Sequence, residues 1–222
     1  GTNMSEQEKS YNVNMLNLVR EGLTALSDAQ AEKRSLQNPV AETHFLGNWI
    51  ITALKEKRFD IILASDLNIW LQESRTLGAK ANFKQRFESI ERVYTQICEL
   101  EYKNLTQFIL EDILTELDNE GWLIETESNV TPKFKLSSSG ENSLVICAEV
   151  YDRAFSDTDG VLESPLSVFI RHGDQAFIDK MFAHGYLVFG STNRSIVKRH
   201  NRYILRPFNH AKKLAILPTL AD

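Results

Sequence analysis

Residues 104–136 read NLTQFILEDILTELDNEGWLIETESNVTPKFKL, and this stretch decides the fold. Apolar residues at three- and four-residue steps predict a helix up to Asn119, with Leu105, Phe108, Ile109, Ile113 and Leu117 on its apolar face. Gly121 ends it, and Trp122–Ile124 and Phe134–Leu136 read as two short strands around a polar loop. Helix, glycine, strand, loop, strand is a winged-helix-like outline. Residues 174–206 repeat it, since Phe177, Ile178 and Met181 precede Gly185 by the same spacing at which Ile113, Leu114 and Leu117 precede Gly121.

Upstream, the pattern is helical throughout. Met15, Val19, Leu23 and Leu26 mark a first helix from Tyr11 to about Ala31. Asn38-Pro39 supplies a capping side chain and a first-turn proline for a second helix, reaching about Lys57. A third begins at Ser65 or Asp66 and stops at Gly78, and a fourth runs from Phe83 to Glu101. After Gly121, apolar runs at 144–150, 166–170, 186–189, 203–205 and 214–217 read as strands separated by turns. The predicted class is therefore α+β: an N-terminal helical bundle over 1–103, then a winged-helix-like region over 104–222 with two helix–wing units, 104–136 and 174–206. Gly1-Thr2-Asn3 ahead of Met4 reads as a vector-derived remnant.

Charge is unevenly spread. Residues 1–159 hold 16 Lys and Arg against 26 Asp and Glu, whereas 160–222 hold 9 against 4. An acidic body with a basic tail bears on partners rather than on fold. The start of the chain has no cationic and apolar leader pattern, and no apolar run approaches the ~20 residues of a membrane span. The expectation is a cytoplasmic protein with no membrane partner. Cys98 and Cys147 are too few for a disulfide framework or a four-ligand zinc site and read as buried, reduced thiols.

Two helical stretches, NPVAETHFLGNW at 38–49 and RTLGAKA at 75–81, resemble a gammaproteobacterial family of uncharacterised proteins. The resemblance implies a bacterial, cytoplasmic setting and carries over no catalytic or ligand-binding residue.

For nucleic acid, the helix over 105–119 is a poor reader, because Glu111, Asp112, Glu116 and Asp118 would face phosphates. The second wing is different. Arg194, Lys198, Arg199, Arg202, Arg206, Lys212 and Lys213 form a cationic run interleaved with Tyr203 and Phe208, suited to phosphates of DNA or RNA. The plain alternative is a solvated hairpin whose charges protect a sheet edge.

Among histidines, His172 lies between a strand and a helix, with Asp174 placed to cap the helix and orient the ring, but no G-x-S-x-G nucleophile accompanies it. His184 suits a helix C-terminus, and His44 reads as a packing residue beside Phe45. Asp157-Thr158-Asp159-Gly160 with Glu163 shares part of a calcium loop, but Phe155 occupies its first ligand position. No Walker A, G-x-G-x-x-G or HExxH occurs. The sequence thus predicts a regulatory or accessory protein without catalytic residues, metal or cofactor. Self-association or a protein partner is expected through the aromatic-rich helical half, where Phe45, Trp49, Phe59, Trp70 and Phe83 cluster. A protein-interaction module without nucleic acid is the alternative, and an enzyme using His172 a second.

Overall fold

The computed structural model describes residues 4–100 and 103–220, with side chains described from Tyr11 onward. Gly1–Asn3, read above as a remnant, lie outside the described residues. Among those described are seven α-helices and a five-stranded sheet, so the class is α+β. The chain forms two compact units, one of Gly1–Glu99 with His210–Leu217, the other of Leu100–Asn209 with Pro218–Asp222.

The first unit packs α1 (Met4–Glu32), α2 (Pro39–Lys55), α3 (Ala64–Leu77) and α4 (Phe83–Glu99). Asn38 caps α2 as its sequence requires, its Oδ1 accepting the Ala41 amide at 2.9 Å. Phe87 sits at the centre, with its ring centroid 5.6 Å from Trp70 and 6.4 Å from Trp49 and from Phe83. Gly22 lets α1 approach, because a Cβ there would stand 2.6 Å from the Phe87 ring. His210–Leu217, predicted to include a strand, is instead a strap with no named strand, and the Tyr94 hydroxyl accepts the Ala215 amide at 3.0 Å. Tyr11 donates to Asp66 at 2.5 Å in the same unit, and burial pushes both groups upward in pKa.

The second unit holds α5 (Gln107–Asn119), β1 (Leu123–Glu125), β2 (Ser143–Val145), α6 (Ala148–Ala154), β3 (Leu166–Arg171), α7 (Asp174–Ala183), β4 (Phe189–Gly190) and β5 (Asn201–Leu205). The sheet order is β1-β2-β3-β5-β4. Helices α5 and α7 end alike: Trp122 N–H donates to Leu117 O at 3.0 Å and Tyr186 N–H to Met181 O at 2.9 Å. Both bonds close over a glycine in the left-handed region, Gly121 at φ 95° and Gly185 at φ 94°. The internal echo is therefore a pair of matching helix caps. Ile113, Leu117, Phe177 and Met181 above them are fully buried, each worth ~1.5–3 kcal/mol of apolar transfer.

The strands after the caps diverge. In the first copy no wing forms: β1 pairs in parallel with β2, Leu123 opposite Ser143, and Phe134–Leu136 is not a strand. Parallel neighbours need a crossover rather than a tight turn, and 126–142 supplies it. Val130, Phe134 and Leu136 on this crossover cover Val145, Phe169 and Val197. In the second copy an antiparallel hairpin does follow the helix, with Phe189 opposite Ile204. Two further corrections concern local pattern. Ala148–Val150, the end of the run 144–150 read as strand, opens helix α6, and Phe108, placed on the apolar face of α5, is 72% exposed while Leu110 and Leu114 are buried.

Candidate nucleic-acid interface

The loop 191–200 joins β4 to β5, and on it Arg194, Lys198 and Arg199 are exposed. None of the three has an ion pair among the described residues. The register Ile170 opposite Asn201 brings Arg171 and His172, at the end of β3, to the same end of the sheet as Arg199 and His200. Two non-glycine residues there adopt left-handed backbone, His172 at φ 68° and Arg199 at φ 64°. The Gly173 amide donates to Arg171 O at 2.9 Å, closing a three-residue turn about His172. Such conformations persist only where surroundings hold them, and they concentrate at functional sites.

Gly173 must lack a side chain, since a Cβ would lie 2.4 Å from the Trp122 indole and 2.9 Å from Asn142 Nδ2. Gly173 also precedes α7 as its cap position, and no side chain caps that helix. Asp174 neither caps it nor orients His172, contrary to expectation. Its Oδ2 accepts from the Tyr203 hydroxyl and from Asn201 Nδ2, the latter at 2.8 Å, because β5 lies directly alongside. Burial, then the hydrogen bond to Asp174, raises the Tyr203 pKa well above its usual range, so the phenol keeps its proton. His172 Nε2 accepts from Arg171 Nε at 3.0 Å, which occupies the nitrogen a general base would use.

His200 was missed in the sequence as a buried residue. It is 7% exposed, its Nδ1 lies 2.7 Å from Lys198 O, and its Nε2 lies 2.8 Å from Ser143 Oγ. A carbonyl only accepts, so Nδ1 carries the proton and Nε2 accepts from the serine. Burial lowers the His200 pKa most; the Lys198 hydrogen bond opposes it next, followed by Arg171, which lowers it, Asp174, which raises it, and His172, which lowers it. The Ser143–His200 pair has the polarity of a nucleophile and base, but Ser143 is fully buried, and the pair joins β2 to the loop before β5. No sequence signal marked it, because the partners stand 57 positions apart.

The remaining cations divide. Arg202 on β5 stands opposite Phe169 and donates from Nε to Ser167 Oγ at 3.0 Å. The Arg206 guanidinium lies 5.8 Å from the Phe189 ring centre, its Nε buried with no hydrogen-bond partner among the described residues. Lys212 and Lys213 belong to the first unit, and Lys213 there lowers the pKa of Asp66 against the larger effect of burial. On α5, Glu111, Asp112 and Asp118 are exposed, while Glu116 meets His184 at 3.0 Å and Lys180 at 3.8 Å. His44 is exposed rather than packed, with Nε2 3.2 Å from Asn48 Nδ2. Cys98 and Cys147 are half-buried and form no disulfide among the described residues. No His, Cys, Asp and Glu group suited to a metal occurs among the described residues, and Asp159 instead accepts the Val161 amide in its own turn.

The family model described as "Protein of unknown function (DUF2913)" matches residues 10–218. The chain belongs to this family. The match includes both stretches, 38–49 and 75–81, that carried the resemblance to an uncharacterised family. No curated protein and no solved structure matches the chain. No helix among the described residues is long and apolar enough to cross a membrane.

Proposed function

We propose that the β4–β5 hairpin of the second unit binds the phosphate backbone of nucleic acid. The observation that supports this best is the set of exposed cations, Arg194, Lys198 and Arg199, on one loop of a chain with net charge −5. Arg171 stands at the same sheet end, and the Asp174 carboxylate there is occupied by Tyr203 and Asn201. Phosphate contacts of this kind fix position without reading sequence. Arg202 and Arg206 continue the positive track along β5, in the manner of a winged-helix-like wing. Lys212 and Lys213, also in the proposed cationic set, lie in the first unit.

In this reading the protein is a regulatory or accessory factor of the gammaproteobacterial cytoplasm, without catalysis of its own, that self-associates or binds a protein through its helical unit. A protein-interaction module is supported by one specific feature, the exposure of Ile61 at 87% and Phe108 at 72%. Electrophoretic shift of labelled duplex and single-stranded DNA and RNA at low salt tests the proposal. Binding by the intact protein that weakens in Arg194→Ala, Lys198→Ala and Arg199→Ala supports it, and absence of any shift overturns it.

A further inference from the structure

The β4–β5 loop reads STNRSIVKRH over 191–200, and within it Arg194 and Lys198 enclose two aliphatic residues with opposite fates. Val197 is 3% exposed and packs with Val145 and Phe169 of the sheet, whereas Ile196 is 57% exposed. A lone isoleucine on a surface is ordinary. This one stands on a cationic loop and is held there from both sides. Before it, Ser195 Oγ accepts the Val197 amide at 3.2 Å and donates to Val197 O at 3.1 Å. After it, the His200 amide donates to Val197 O at 3.2 Å, and the buried His200 ring is bonded to Ser143. With the backbone fixed in this way, little loop freedom is lost when the Ile196 side chain enters a partner.

We infer that Ile196 is an apolar wedge that enters a base step of duplex DNA while Arg194, Lys198 and Arg199 hold phosphates around it, an inference that rests on the hairpin reading above. Phosphate contact by itself gives no use to an exposed isoleucine between the cations. Apolar side chains, isoleucine among them, do part stacked bases and kink the duplex in complexes that grip its backbone. A single strand is a poorer fit, because unpaired bases are gripped by stacking on aromatic rings, and 191–200 has no Phe, Tyr or Trp. An anionic bilayer fits worse. One acyl chain, with far more apolar surface than Ile196, anchors a protein only marginally.

Opening a stacked step costs affinity, and a step already weakened costs less. The protein should therefore prefer a duplex with a central mismatch to the same duplex fully paired.

Fluorescence anisotropy of the full chain at low salt tests this with the paired duplex, the mismatched duplex and one strand alone. The mismatched duplex is expected to bind roughly tenfold tighter than the paired one, a modest share of the unstacking cost. Ile196→Ala and Ile196→Ser, at an exposed position, should abolish that preference, whereas Arg199→Ala should weaken both complexes and keep it. Equal affinity of the parent for the two duplexes, a preference unchanged in both Ile196 variants, or tighter binding of the single strand overturns the wedge and leaves phosphate contact by the hairpin standing. No binding to any of the three overturns both. Vesicles of phosphatidylcholine and phosphatidylserine in equal parts are the last probe: capture that depends on Ile196, with DNA binding that does not, assigns the side chain to a bilayer and overturns the wedge.

Discussion

Gly173 lies against the indole of Trp122, so closely that a Cβ on it would stand 2.4 Å from the ring. The indole follows the cap of α5, and the glycine ends the strained turn at His172, so one contact ties the end of α5 to the cationic sheet end. Gly173→Ala must move a buried tryptophan and should cost ~1–3 kcal/mol, the range for overpacking. Urea denaturation followed by tryptophan fluorescence measures it. A variant as stable as the parent would contradict the contact.

Asp174 is the carboxylate that meets β5, through Tyr203 and Asn201. Tyr203→Phe removes a hydrogen bond to a half-buried charge and should cost ~1 kcal/mol, less than a fully buried bond of this type. Asp174→Asn removes negative charge beside the loop and should raise nucleic-acid affinity. Equal or lower affinity in a folded Asp174→Asn protein would argue that the loop does not meet phosphate.

His200 makes stability depend on pH. Its folded-state pKa lies below the usual 6.5 because of burial, with Arg171 and His172 adding to the effect. Between the folded and unfolded values the unfolded chain binds more protons, so this contribution is present above 6.5 and is lost as pH falls through the folded pKa. Denaturation midpoints should therefore decline on acidification below 6.5, and His200→Gln should flatten that decline. An identical slope in both proteins would show that another group titrates.

Most helices were legible because period and punctuation agreed: Asn38 caps α2, Gly78 closes α3, and Gly121 and Gly185 close α5 and α7. Strand partners were not. A short apolar run such as Phe134–Leu136 reads the same whether it joins a ladder or covers one, and here it packs over Val145 and Phe169. Leu144–Val150 mixed the last two residues of β2 with the start of α6, a boundary that composition alone does not mark. The basic run was legible as composition, but its geometry was not. Lys212 and Lys213 follow Arg206 closely in sequence and still belong to the other unit, while Arg171 reaches the loop from 27 positions before Lys198 through strand register.

Thr43→Val should stabilise the protein. The hydroxyl it removes is buried and has no hydrogen-bond partner among the described residues, and its loss with shape retained should gain ~1 kcal/mol. Thermal or chemical denaturation would show a higher midpoint. A fall of similar size would mean that the hydroxyl is paired within the folded chain.

The central claim rests on Arg194, Lys198 and Arg199, and the salt dependence of binding tests it most directly. Affinity for duplex DNA measured by fluorescence anisotropy from 25 to 200 mM salt, roughly a counterion-release series, should give log K falling linearly with log salt. Replacing all three cations with alanine should make that slope shallower by ~2 to 3, since each phosphate contact contributes ~0.9. No measurable binding at the lowest salt, or a slope unchanged by the triple replacement, would contradict the account.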